Sequence, residues 1–309
     1  AITDDDPPYV VGALDIVPGA PTPESNERGF LHRIGTNGST ILPGAPPNNA
    51  SIAFDARDAA ADPHLEVQSV GLTASTFFGD CAAPCGGSCP PGVVWEDDVR
   101  TELPGAEIGA GPDRGATVGY GINFDGNIVG SSRDWQDEDG DGIVDPVECF
   151  DRGAFWPTLD ATDPVLLPFT LDALSLCVEN ESAMVAFAVA DRAFGTDPLY
   201  VAGTDESQDT AVVWITTDGD PDQTSDWGAF DLNERACVPS SIDSLEIAFA
   251  VNESGTIAGE GNDNGDERAF VAFPFDDCPA DFDGDDVVGV QDLLALLDAW
   301  EDPACDAIP

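Results

Sequence analysis

The sequence of 309 residues contains no lysine, a single methionine and only two histidines. Its ten basic residues are all arginines and face 60 acidic side chains, which gives a formal charge of −50. Nucleic acids and anionic membrane surfaces attract basic proteins, so this charge excludes both as partners. A salt-adapted acidic surface explains part of the charge. Bound divalent cations are the other way to screen it.

Long apolar runs are also missing, since none approaches the roughly 20 residues of a membrane span. Hydrophobic residues nevertheless make up 42% of the chain, which is enough for a packed core. The sequence opens with Ala1-Ile2-Thr3 and no initiator methionine, as expected of a mature chain after removal of a signal peptide. We therefore expect a secreted protein, located outside the cell or at its surface.

Similar segments recur along the chain and predict repeated β units. Each unit has an apolar strand, a second strand that ends in glycine, a variable polar loop and an aromatic-rich third strand. Clear copies span 120–156, 186–214 and 248–271, and divergent ones span 9–31 and 52–95. The copy at 9–31 lacks an opening strand, and trailing segments at 40–42, 166–169 and 230–232 predict a fourth strand. The fold class is thus mainly β, a propeller-like array of about five units over residues 1–276.

The turns between strands carry their own signals. Asn123-Phe-Asp-Gly126 and Asn252-Glu-Ser-Gly255 stand between first and second strands and predict tight turns.

The polar loop at 137–148 matches the EF-hand calcium loop at every liganding position. Alternating oxygen ligands and a glycine at the sixth position wrap the chain around one large cation. The predicted ligands are Asp137, Asp139, Asp141, the carbonyl of Ile143, Asp145 and Glu148. Ca²⁺ is therefore the expected cofactor.

A second loop at 281–292 has the same alternation, with Asp286 at the sixth position and an aspartate at the twelfth. Its predicted ligands are Asp281, Asp283, Asp285, the carbonyl of Val287 and Asp292. An amphipathic helix is predicted at 290–300. Weaker metal candidates occupy the polar loops of other units. They are Asp218, Asp220, Asp222 and Asp226 in one loop, and Asn262, Asn264 and Asp266 in another.

The eight cysteines favour disulfides formed in an oxidising compartment. We expect Cys278 to pair with Cys305 around the second calcium loop, and Cys177 can pair with Cys237. Cys149 would then pair with one of Cys81, Cys85 and Cys89, for which a soft-metal site is the alternative. Four Asn-x-Ser sequons are equally compatible with glycans or unmodified turns, at Asn37, Asn49, Asn180 and Asn252.

Two resemblances follow from these motifs. The units resemble the HAF family of extracellular repeats, whose pattern ends in a His-Ala-Phe tripeptide that is Gly153-Ala154-Phe155 and Arg268-Ala269-Phe270 here. Residues 277–309, one calcium loop followed by a helix, resemble the single-copy (GC-type) C-terminal dockerin. The second resemblance implies a small calcium-binding module and a cohesin-like or cell-surface partner.

Three classes of function remain after these observations. We expect a structural or adhesive protein that self-assembles outside the cell into a filament or matrix, with other copies as head-to-tail partners. A dockerin-anchored module that binds a glycan or protein is the alternative. A propeller glycoside hydrolase is a third reading, but no carboxylate pair stands out, and His32 and His64 have no recognisable nucleophile partner. We therefore expect no enzyme activity.

Overall fold

A computed structural model of the chain describes residues 9–15, 27–33, 39–42, 52–58, 67–72, 92–96, 99–107, 115–135, 149–158, 161–169, 184–192, 198–206, 208–216, 221–236 and 242–273. Within these ranges the chain is mainly β, which confirms the coarse fold class expected from the repeats. One α-helical turn, α1 (Leu232–Arg235), interrupts the strands of the described residues.

The strands form five antiparallel sheets that follow one another along the chain. The first sheet contains β1 (Tyr9–Asp15), β2 (Glu27–Arg33) and β3 (Ser39–Ile41). The second contains β4 (Ile52–Asp58), β5 (Val67–Leu72), β6 (Gly92–Glu96) and β7 (Val99–Glu102). The third contains β8 (Thr117–Ile122), β9 (Ile128–Trp135), β10 (Cys149–Trp156) and β11 (Val165–Leu166). The fourth contains β12 (Met184–Val189), β13 (Tyr200–Asp205), β14 (Thr210–Thr216) and β15 (Trp227–Asp231). The fifth contains β16 (Ser244–Val251), β17 (Ile257–Asp263) and β18 (Asp266–Ala272).

Every sheet is a meander in which strands adjacent in sequence pair with each other. The first sheet has three strands among the described residues, and β1 pairs directly with β2. The predicted absence of an opening strand before Tyr9 stays a prediction, because residues 1–8 lie outside the described residues. The fifth sheet also has three strands. Among the described residues, it has no strand that corresponds to the fourth strand of the second, third and fourth sheets. The described residues close no barrel or propeller.

Both predicted Asn-x-x-Gly turns are confirmed. In the turn between β8 and β9, the side-chain oxygen of Asn123 accepts hydrogen bonds from the backbone N–H groups of Asp125 and Asn127, at 3.1 and 2.9 Å. Gly126 closes this turn with a φ of 86°, in the region that favours glycine. Asn252 and Gly255 build the same turn between β16 and β17, where φ of Gly255 is 76°.

The hydrophobic core lies between successive sheets, and the third and fourth sheets bury residues on both of their faces. One cluster joins the second and third sheets, a second joins the third and fourth, and a third joins the fourth and fifth. Representative members of these three clusters are Val94 and Trp156, Phe155 and Trp214, and Val213 and Phe270. Burial on both faces explains why the third strands read as continuous apolar runs.

No helix among the described residues is long and apolar enough to cross a membrane.

Candidate functional site

The strongest predicted calcium loop joins the ends of one hairpin. Trp135, the last residue of β9, pairs with Cys149, the first residue of β10, so the ladder holds the two ends of the 137–148 loop together. Next to this end of the hairpin, Arg133 makes two bonds to Asp151, at 2.8 and 3.1 Å. The loop's own residues, including all six predicted ligands, lie outside the described residues, and the site stays a prediction.

The second calcium loop at 281–292 and the helix at 290–300 also lie outside the described residues. The same holds for Asp218 and Asp220 of the weaker candidates. Asp226 is described, and its carboxylate accepts a bond from the backbone N–H of Gln223 at 2.9 Å. It therefore shapes its own loop, while Asp222 lies exposed nearby.

The other weaker candidates lie in the hairpin turn between β17 and β18. The side-chain oxygen of Asn262 accepts from the backbone N–H of Gly265 at 2.7 Å, and Asp266 pairs with Arg268 at 3.0 Å. Asn264 and Gly265 have φ values of 55° and 88°, as a two-residue hairpin loop with both φ positive requires. The three polar residues thus have structural roles in the turn. Among the described residues, no group of three His, Cys, Asp or Glu side chains is arranged to hold a metal.

The predicted disulfides are not visible in the described part of the chain. Only the backbone of Cys149 is described, and the other seven cysteines lie outside. Of the sequons, Asn252 alone is described, and it lies on an exposed turn.

A cluster of acidic side chains adjoins the hydroxyl of Tyr120 on β8. Burial, followed by the charges of Glu206 and Asp151, raises the pKa of Tyr120 from 10.0 to about 12. Burial also raises the pKa of Glu206, and so do the negative charges near it, which belong to Asp151, Asp205 and Asp209. Burial is the largest cause of both pKa shifts, and the crowding of negative charges adds to it.

A repeated β-bulge places an aromatic ring at the same position in four sheets. In each of these first strands the pairing register shifts across an aromatic residue, and in β16 it shifts a second time, across Glu246. The four bulged residues are Phe54, Tyr120, Phe187 and Phe249. Their rings contact one another in sequence, with centroids 5.0, 5.3 and 5.8 Å apart. This aromatic ladder links the second, third, fourth and fifth sheets through contacts typical of tilted and edge-on aromatic pairs.

Glycines in the second strands make room for these bulged first strands. Gly130 pairs with Gly119, Gly203 with Ala186, and Gly259 with Ala248. A Cβ on any of the three would lie far inside van der Waals contact of a first-strand carbonyl oxygen, which belongs to Val118, Val185 or Ile247. Gly130, Gly203 and Gly259 are therefore required by close approach of the backbone.

Tryptophans of the third strands bind the preceding sheet. The indole N–H of Trp156 donates to the carbonyl oxygen of Pro104 at 2.9 Å, and that of Trp214 donates to the carbonyl oxygen of Pro168 at 2.8 Å. Both prolines follow the fourth strand of the sheet before. Since both indoles are fully buried, these bonds satisfy donors that would otherwise be costly to bury.

The junction of the fourth and fifth sheets uses a different bond. In the fourth sheet, Trp214 lies two residues after Val212, which pairs with Gly203. In the fifth sheet, Ala272 lies two residues after Phe270, which pairs with Gly259. Ala272 therefore occupies the position that corresponds to the tryptophan. The side chain of Asn233 in α1 instead binds both backbone groups of Leu245, at 2.6 and 2.9 Å.

The fifth sheet exposes a position that other sheets bury. In the third strand of the second, third and fourth sheets, the residue just before the tryptophan packs against the following sheet. Val94 and Phe155 are 0% exposed there and Val213 is 5% exposed, but Val271 of the fifth sheet is 58% exposed. Phe273, two residues further on, is 60% exposed, and Phe249 at the end of the aromatic ladder is 49% exposed. We call Phe249, Val271 and Phe273 the terminal apolar surface.

No family model matches the chain, and no curated protein is significantly similar to it. The resemblances to HAF repeats and to a dockerin rest on the sequence motifs alone.

Sequence reasoning located the repeated segments but missed what their aromatic residues do. The signal was present, because a small residue stands before each bulged aromatic ring, as in Ala53-Phe54 and Ala186-Phe187. A regular strand reading assigns these residues to alternate faces. The bulge, which changes that assignment, is visible only in the pairing register.

Proposed function

We propose that the chain is a secreted, calcium-binding structural protein that assembles head to tail with other copies outside the cell, as a subunit of a filament or matrix. The observation that carries this proposal is the 58% exposure of Val271, at a position where the second, third and fourth sheets are each covered by the next sheet. Burying a side chain of this kind contributes about 1.5–3 kcal/mol when it is complete. Large exposed apolar side chains are candidates for an interaction surface.

The partner that fits this surface is the first sheet of a second copy. We infer that the five sheets are blade-like units of a propeller-like array, because one packing arrangement recurs at three successive junctions. A sixth sheet packed on the fifth would continue that arrangement, and the first sheet is the one whose own opening strand is missing among the described residues. Such a contact joins different surfaces of the two copies, so it extends into a filament unless it closes into a ring.

Calcium enters the proposal through charge and through the hairpin loop. Copies that each carry a formal charge of −50 repel one another, and bound divalent cations reduce this repulsion. Support for a calcium site at 137–148 comes from its full match to the EF-hand pattern. The pairing of Trp135 with Cys149 also brings the ends of the loop together before any ion binds.

Light scattering of the purified protein in calcium, before and after a chelator is added, tests this function. We expect assemblies in calcium that dissociate on chelation. The double variant Asp139→Asn with Asp141→Asn should need at least about tenfold more calcium, because it removes charged ligands from one loop.

A matched control separates coordination from charge. Asp125→Asn with Glu253→Gln removes two negative charges from exposed turns that are not predicted ligands, and it should behave as the wild type. A chain that stays monomeric at every calcium concentration would contradict the proposal. It would leave a dockerin-anchored binding module as the better hypothesis.

A further inference from the structure

The outer edge of β1 has the features of a strand that normally has a neighbour. Gly12 pairs with Phe30 of β2, just as Gly130 pairs with Ala154 and Gly259 with Phe270. By this register β1 is the second strand of its sheet. In the other sheets, a bulged first strand pairs with the edge of the second strand that faces away from the third strand. In the first sheet, the corresponding edge is the edge of β1 that faces away from β2. Among the described residues, no strand pairs with this edge of β1.

Gly12 itself indicates that a strand passes there. In three other sheets the glycine at this position is required, because a Cβ would collide with the first-strand carbonyl oxygen. Glycine within a strand is otherwise unfavourable, since it loses more conformational freedom and packs no side chain. At an edge that is always empty, a residue with a side chain would serve better.

The other sheets define the chemistry of the strand that fits. Each of their first strands carries a β-branched residue, then a small residue, then the bulged aromatic residue of the ladder. The four triplets are Ile52-Ala53-Phe54, Val118-Gly119-Tyr120, Val185-Ala186-Phe187 and Ile247-Ala248-Phe249. A strand of this type beside β1 would place its aromatic ring against Phe54 and extend the aromatic ladder by one sheet.

The sequence contains one further triplet of this type, Val271-Ala272-Phe273. It lies at the end of β18, whose outer edge carries no strand among the described residues. Its two large side chains belong to the terminal apolar surface and are 58% and 60% exposed. The triplet is therefore accessible to a second molecule.

We propose that the outer edge of β1 binds residues 271–273 of a second copy as an antiparallel strand, with Ala272 opposite Gly12 and Phe273 against Phe54. Main-chain hydrogen bonds then join the copies, and the small residue and the aromatic ring fix the register. The inference rests on the proposed head-to-tail assembly and names the two segments that meet in it.

The test uses the full-length chain and a labelled peptide of residues 266–275, with binding followed by fluorescence anisotropy in calcium. A peptide of residues 183–190, which contains a genuine first-strand triplet, serves as a second probe. We expect both peptides to bind, and the variant peptide Phe273→Ser to bind at least about tenfold more weakly, because it lacks the ring that contacts Phe54.

Two variants of the chain locate the binding edge. Gly12→Val should weaken peptide binding at least about tenfold, because its side chain occupies the path of the incoming carbonyl groups. It should unfold at the wild-type temperature or above, since none of the described strands pairs with this edge of β1. Ser39→Val on β3, at the opposite edge of the same sheet, is the control and should leave binding unchanged.

Several results would overturn the inference. Among them are a peptide that does not bind the wild-type chain and binding that is insensitive to Gly12→Val. A third is a Gly12→Val chain as unstable as Gly259→Val, since a strand of the same chain would then fill the edge. If the wild type and the Gly12→Val chain assemble to the same extent in calcium, the inference about the β1 edge is wrong, but the proposed head-to-tail assembly is not contradicted. A chain that remains monomeric contradicts both.

Discussion

The third and fifth sheets use the same turn in different surroundings. In the third sheet, Asn123 is 3% exposed, and its amide N–H donates to the carbonyl oxygen of Ala190, in the fourth sheet, at 2.8 Å. In the fifth sheet, Asn252 builds the same turn but lies exposed, and its amide nitrogen makes no such bond among the described residues. The third sheet is followed by a fourth that packs on it, whereas no sheet follows the fifth among the described residues.

The same contrast holds for the third strands. Phe155 is buried between the third and fourth sheets, while Val271 at the matching position of the fifth sheet is mostly exposed. Substitutions at matched positions should therefore have large effects inside the array and small effects at its ends. The predictions below use such pairs, from the largest expected difference to the smallest.

The glycines of the second strands should give the largest difference. Gly203→Ala places a Cβ against the carbonyl oxygen of Val185 and the ring of Trp214, and it should destabilise the chain by about 3 kcal/mol or more. Gly12→Ala should stay within about 0.5 kcal/mol of the wild type, because no strand among the described residues lies beside β1. Urea unfolding of the two variants checks this. Equal destabilisation would show that the first sheet is completed within one chain.

The tryptophan bonds between sheets should come next. Trp214→Phe leaves the carbonyl oxygen of Pro168 without its donor and leaves a cavity at a fully buried position. We expect it to lower the free energy of unfolding by about 2–4 kcal/mol. Ala272→Ser at the matching position of the fifth sheet should change stability by less than about 0.5 kcal/mol. Thermal unfolding measures both. A harmless Trp214→Phe would mean that the sheets do not depend on these bonds.

The two asparagine turns should differ by a smaller amount. Asn252→Ala removes only the bonds within its turn, which should cost about 1 kcal/mol. Asn123→Ala removes the same bonds together with the donor to the Ala190 carbonyl, so it should cost about 1 kcal/mol more. Denaturant midpoints for the two single variants give this difference directly. Identical midpoints would remove the argument that the fifth sheet lacks a neighbour.

Tyr120 provides a pH test of the packed part of the ladder. Its pKa is raised from 10.0 to about 12, so the unfolded chain loses this proton first. The contribution of the neutral phenol is complete below pH 10 and is lost as the pH rises toward 12. Tyrosinate absorbance should show one tyrosine that ionises late, and Tyr120→Phe should remove it. Absence of an ionisation near pH 12 that Tyr120→Phe removes would contradict the packing at this site.

The sequence predicted the sheets well because the repeats preserve strand chemistry. The turns at Asn123 and Asn252 were visible as patterns, and so were the paired strands that flank them. Each of these features depends on residues within a few positions of one another, which is the range that sequence patterns report.

The ladder and the inter-sheet bonds were not predicted, because they join residues far apart in the sequence. Tyr120 meets Phe187 and Trp214 meets Pro168 only after several sheets have packed. The weak metal candidates Asp226 and Asn262 show a second limit. Acidic and amide side chains at ligand-like spacing also serve their own turns, and only the hydrogen bonds separate these roles.

Sedimentation velocity of the wild type and of Phe249→Asp in calcium, over a range of protein concentrations, tests the central claim most directly. The account predicts that the wild type forms concentration-dependent assemblies. Phe249→Asp should remain a folded monomer, because the new charge lies at the exposed end of the aromatic ladder. A wild type that sediments as a monomer at every concentration, or a Phe249→Asp chain that assembles as the wild type does, would contradict it.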